Sequence, residues 1–129
     1  VFVNGDINSC KTAKTAISVS GAAGVMVGRA AMGQPWLLAQ IADYISGVPV
    51  RLVPNMLQQY SMMINHLNDI KKEKGEIGLR SARKHFASYC DHLEGSDELR
   101  AVAMRTSSAS ELKDAIFEYF LKLSRLTAA

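Results

Sequence analysis

The amino-acid sequence predicts a mostly helical chain in two parts. Residues 1–50 read as an α/β remnant, the last two β/α units of a (β/α)8 TIM barrel, and residues 51–129 as an all-α helical bundle. Three observations predict this. Two short apolar runs, Val1-Phe2-Val3 and Val25-Met26-Val27, have no polar face, as strands do in a parallel sheet covered by helices. One helix-length segment separates them, which makes a β-α-β unit with a right-handed crossover. After two prolines between Val48 and Pro54, apolar residues recur at helical spacing to the end of the chain.

The elements follow in order. Val1-Phe2-Val3 stops at the turn Asn4-Gly5-Asp6. Ser9 offers a side-chain oxygen to cap a helix from about Cys10 to Val19, and Gly21 closes it with a residue able to take positive φ. Ala13, Ala16, Ile17 and Ser20 mark its packing face. The second strand ends at Gly28-Arg29, and a helix is expected from near Met32 or Gln34, with Pro35 in its first turn. Leu38, Ile41, Ala42 and Ile45 form its expected buried stripe, and Gly47 ends it. Val48 to Pro54 reads as an extended linker.

Four helices are expected beyond it. Leu57, Tyr60, Ile64 and Leu67 line the first, which Gly75 stops. Leu79, Ala82, Phe86, Tyr89 and Leu93 line the second, which ends before Gly95. Ser96-Asp97-Glu98 starts a third with a cap and an acidic first turn. Ser108-x-x-Glu111 is a capping box ahead of Leu112, Ile116, Tyr119, Leu123 and Leu126. Four amphipathic helices with short connections make a small bundle.

Two strands do not make a stable sheet alone, so their partners are expected upstream of Val1, and the chain is read as starting inside a larger protein. Its 48% apolar and 21% charged content excludes disorder. A net charge of +3 permits a polyanionic partner without requiring one. Cys10 and Cys90 fit no disulfide framework or zinc spacing, and reduced thiols in a cytoplasmic protein are the simplest reading. No uncharged apolar run reaches the roughly 20 residues of a membrane helix.

The loops after strands 7 and 8 of such a barrel commonly form a phosphate site. The residue types suit one: Gly5 and Gly28 let backbone N–H groups approach an anion, Arg29 supplies a charged fork, and Asn4 and Asp6 supply hydrogen-bonding groups. The same residues also read as a common turn and a Gly-Arg pair with a surface charge.

Together, Asn4-Gly5-Asp6-Ile7, the run Gly24 to Leu38 (GVMVGRAAMGQPWLL) and the run Gly78 to Cys90 (GLRSARKHFASYC) resemble the C-terminal part of the flavin-dependent tRNA-dihydrouridine synthases, in order and spacing over nearly the whole chain. The resemblance implies an FMN-binding TIM barrel followed by a helical domain that helps hold tRNA. It implies NADPH as the reductant of the flavin, and hydride transfer to the uridine C5–C6 double bond. By similarity, Asn4, Gly5 and Asp6 lie by the FMN, and Gly28 with Arg29 holds its phosphate. The family's catalytic acid, a cysteine on an earlier barrel loop, is expected upstream of this chain. No catalytic residue is therefore assigned here, and this stretch alone is expected to be inactive. Cys10 does not match that position and reads as a small buried group.

From Lys71 to His85 six basic residues face two acidic ones. Arg80 and Lys84 lie one helical turn apart, with Arg83 and His85 beside them, on the edge of an apolar stripe. Such an edge suits an RNA phosphate backbone, although from Arg51 onward the net charge is only +2, twelve basic against ten acidic residues. His85, Cys90 and His92 lack a fourth ligand, and no metal is expected. Two rival readings are the end of another FMN- or phosphate-binding barrel oxidoreductase, and a non-enzymatic helical interaction module. Exposed strand edges allow self-association of the isolated chain.

Overall fold

The computed structural model describes residues 2–4, 7–22, 24–26 and 31–128, which fall into two compact units, Val1–Val53 and Pro54–Ala129.

In the first unit, β1 (Phe2–Asn4) and β2 (Gly24–Met26) pair in parallel, with Phe2 opposite Gly24 and Asn4 opposite Met26. Between them runs α1 (Cys10–Ser20), so the β-α-β order is present. The start of α1 is decided locally. Ser9 Oγ accepts from the Thr12 N–H, and the Thr12 side chain returns a bond to the Ser9 backbone, a reciprocal box. Gly21 ends the helix at φ 70°. Buried Ala13 lets α1 approach α2 (Leu37–Ser46), and Ile7, Leu37 and Ile41 complete this small core.

The helix expected from Met32 or Gln34 begins later, at Leu37. Gly33 sits at φ 79°, outside helical space, and proline disfavours helical geometry in the residue before it, here Gln34. The buried stripe is also rotated: Leu37 and Ile41 are covered, whereas Leu38 and Ile45 are about half exposed. The helix is apolar on several sides, so spacing alone left two faces equally plausible.

The second unit is built on α3 (Met56–Cys90), whose hydrogen-bonded run is broken at Gly75 (φ 65°, ψ −159°). That combination is open essentially to glycine alone, and it turns α3 into two arms. His66 of the first arm packs against His85, Phe86 and Tyr89 of the second, so the arms run back along each other as a helical hairpin. The arms approach tightly at the turn, where a Cβ added to Gly78 would lie 2.3 Å from the Lys74 Cβ. Asn55 and Gln58 cap the start of the first arm reciprocally.

Next come α4 (Asp97–Arg105) and α5 (Ala109–Ala128), which pack on α3 and on each other. Phe86, Met63, Leu67, Leu79, Leu112 and Ile116 are the largest fully buried side chains of the unit. Each such side chain contributes roughly 1.5–3 kcal/mol. Leu57 and Leu126, expected inside, are 70% and 76% exposed; Met63 and Phe120 fill the core instead. Tyr60 packs edge-on against Phe117 and Phe120.

Two expected caps work differently. Ser96 does not accept from α4; its buried hydroxyl donates to the carbonyl of Cys90, the last residue of α3, and to that of Leu93 in the turn beyond it. Ser108 Oγ does accept from the Glu111 N–H, but the Ser108 N–H is taken by Thr106 Oγ1 and the Glu111 carboxylate turns to Arg105 at 3.9 Å. Among the described residues, no helix is long and apolar enough to cross a membrane.

Candidate functional site

Two regions carry the residues singled out in the sequence. The first is the end of the small sheet. Because Asn4 pairs with Met26, β1 and β2 end side by side at the same end of the sheet. Asn4 is the last residue of β1. Gly5, Asp6, Gly28 and Arg29 lie outside the described residues. In parallel α/β sheets the crevice beyond the strands' carboxyl ends is where ligands bind. Cys10 is remote in role: its thiol donates to the Gln40 carbonyl at 3.4 Å and links α1 to α2.

Beyond α2 the chain is tied down by Asp43, whose carboxylate accepts from the Arg51 backbone N–H and from Nε and Nη2 of its guanidinium, at 2.8–3.0 Å. These bonds hold the Asp43 pKa at about 2.

The second region is the α3 hairpin. Its arms enclose a groove of about 710 Å³, lined by His66, Asp69, Lys72, Glu73 and Lys74 from the first arm and Ser81, Lys84 and His85 from the second. Arg80 is exposed one helical turn before Lys84. The four residues grouped in the sequence thus separate. Lys84 and His85 line the groove, Arg80 is exposed but is not one of its lining residues, and Arg83 is engaged elsewhere. The Arg83 guanidinium donates to the Thr106 carbonyl from Nε and Nη2, and to the Arg105 carbonyl from Nη2, at 3.0–3.1 Å. It satisfies carbonyls left open at the end of α4, a structural duty.

His66 was not singled out by spacing. Its Nδ1 lies 3.0 Å from the Tyr89 hydroxyl and its ring centroid 5.7 Å from that of His85. Burial, then the nearby His85 charge, lowers its pKa, and Asp69 opposes the shift. Burial also raises the Tyr89 and Cys90 pKa values. The only sequence signal for His66 was its place on the first arm, one residue before buried Leu67; its partners lie about twenty residues away and become neighbours through the turn at Gly75. Among the described residues no group of three or more His, Cys, Asp or Glu side chains could hold a metal ion, and His85, Cys90 and His92 do not converge.

Residues 1–124 match the family model described as dihydrouridine synthase (Dus). The probable tRNA-dihydrouridine synthase of Rickettsia typhi is 35% identical over 124 residues, 95% of this chain and 38% of that protein. The corresponding protein of Rhodobacter capsulatus is 41% identical over 108 residues, 83% of this chain and 33% of its own length. The tRNA-dihydrouridine synthase B of Pseudomonas aeruginosa is 32% identical over 124 residues, 93% of this chain and 36% of that protein. The chain therefore spans between a third and two fifths of the length of these relatives.

Proposed function

Because the chain belongs to the dihydrouridine synthase family, we propose that it is the C-terminal portion of a tRNA-dihydrouridine synthase, an oxidoreductase of the cytoplasm that reduces uridine in tRNA. In this reading residues 1–50 close an FMN-binding TIM barrel and residues 51–129 form a helical tRNA-binding domain. The observation that carries the proposal is the family match across residues 1–124, with the β-α-β order in one unit and the basic hairpin in the other.

Strands β1 and β2 ending level on one edge support a ligand site beyond their carboxyl ends. Asn4, Gly5 and Asp6 would lie by the flavin, and Gly28 and Arg29 would bind its phosphate through backbone N–H groups and a guanidinium fork. Bound there and reduced by NADPH, FMN supplies the hydride for the uridine C5–C6 double bond. The proton for the other carbon would come from a cysteine acid outside this chain; with most of the flavin pocket outside it as well, the chain alone is expected to bind FMN weakly and to oxidise no NADPH.

On the helical side Arg80, Lys84 and His85 supply phosphate contacts, which give affinity without sequence preference, while Arg83 braces the scaffold they stand on. The test is tRNA binding by the full-length protein as a function of salt. Arg80→Ala/Lys84→Ala is expected to weaken binding and lower the log–log salt slope by about 2, one for each lost phosphate contact. Unchanged affinity and slope would remove these residues from the interface.

A further inference from the structure

We propose that the groove between the two arms of α3 is a phosphodiester seat whose occupancy is coupled to proton uptake by His66 and His85. The inference rests on the RNA-binding reading and deepens it: beyond fixed charge, it assigns this chain a titratable contact.

The geometry is particular. His66 comes from the first arm and His85 from the second, with ring centroids 5.7 Å apart in a groove of about 710 Å³. The charged groups lining that groove are Asp69, Lys72, Glu73 and Lys74 on the first arm and Lys84 on the second; among the described residues, α4 and α5 contribute none. Lys72, Lys74 and Lys84 form no ion pair within 4 Å among the described residues. Two imidazolium ions this close repel each other and are repelled by three ammonium groups, with only two carboxylates to offset them. In this setting His66 is pushed toward its neutral form, by burial first and then by the charge of His85, against the pull of Asp69.

A phosphodiester reverses that balance. It is anionic throughout the range in which histidine titrates, and its oxygens accept from protonated rings. Tyr89 makes the change possible without repacking. In the tautomer whose Nδ1–H donates to the Tyr89 oxygen, Nε2 is the nitrogen that takes up the proton, and the cation keeps the same bond. A ligand that prefers the protonated groove raises its proton affinity, and protonation tightens the ligand by the same factor.

The experiment measures binding of an RNA duplex of about twelve base pairs to the 129-residue chain between about pH 5.8 and pH 8, where histidine is the main titrating side chain. In parallel, imidazole NMR follows each histidine with and without dimethyl phosphate, a phosphodiester that does not titrate in this range. Affinity is expected to be about tenfold tighter at the acid end, the change that a rise of about one unit in a single imidazole pKa on binding produces. His66→Asn/His85→Gln should flatten that dependence, as should His85→Gln in part, and His92→Asn should preserve it. Dimethyl phosphate should move the His66 and His85 titrations to higher pH.

A double variant that keeps its helical circular dichroism and the full pH dependence would overturn the proposal. If that variant does not fold, His85→Gln with the wild-type slope and unmoved imidazole titrations overturns it equally. RNA binding that is indifferent to pH, with both titrations unmoved, overturns the seat and leaves the RNA reading standing. Titrations moved by dimethyl phosphate in a chain without RNA affinity support the seat and sink the RNA reading.

Discussion

Gly78→Ala is expected to destabilise the helical unit, against the usual sign for a glycine-to-alanine change in a helix. Gly78 lies inside α3 with nothing unusual in its backbone, so alanine should gain about 1 kcal/mol of helix propensity there. The new Cβ, however, would lie 2.3 Å from the Lys74 Cβ, with Cγ and Cδ of the same side chain at 3.3 Å. Lysine can swing its distal carbons away, but its Cβ is fixed by the backbone, so the chain near the Gly75 turn must move by about an ångström. Overpacking of this kind costs about 1–3 kcal/mol, and a clash this close belongs at the upper end. The net is a loss of about 2 kcal/mol, or about 10 °C in Tm for a unit of this size. Urea unfolding followed by circular dichroism, with thermal melts, reads both quantities. Stability unchanged or raised by about 1 kcal/mol would refute the close approach of the arms, and with it the groove.

Arg83→Ala should cost about 2 kcal/mol, because it strips the partners from the Arg105 and Thr106 carbonyls, and Arg83→Lys should recover little of that since an ammonium does not reproduce the fork. Denaturant midpoints check both variants, and a lysine variant as stable as the parent would contradict the role. The Asp43 carboxyl should titrate at about 2, against an ordinary value of 3.8. Because the folded value is depressed, the pair's contribution is present above about pH 4 and fades as the pH falls toward 2. Carboxyl NMR titration should show Arg51→Met returning Asp43 toward its ordinary range; no movement would remove Arg51 as the cause.

What the sequence made legible was settled within a few residues of itself. Ser9, Gly21, Gly47 and Gly75 are local decisions, in which a side-chain oxygen answers an open N–H or a glycine takes a left-handed φ. Contacts between distant parts of the chain were not legible. Arg83 shares a charged edge with Arg80 and Lys84, and spacing gave no sign that the end of α4, over twenty residues later, needed its donors. The His66–Tyr89 pair depends on how far the second arm folds back. Ser96 is a good cap by composition, yet the Cys90 and Leu93 carbonyls claim its hydroxyl. Met63 and Phe120 replaced Leu57 and Leu126 because helical periodicity defines a stripe but not where the neighbouring helices stop covering it. At the sheet end, motif order and resemblance pointed to Asn4, Gly5, Asp6, Gly28 and Arg29; the structure adds the level ends of β1 and β2.

The most direct trial is to purify the full-length protein that contains this chain and incubate it with NADPH and tRNA lacking dihydrouridine, then to follow the nucleosides by mass spectrometry. The expected result is co-purifying FMN and uridine gaining two hydrogens in tRNA, with Arg29→Ala losing flavin and activity together. A protein without flavin, or one that leaves tRNA untouched while reducing a free small metabolite, would contradict the assignment.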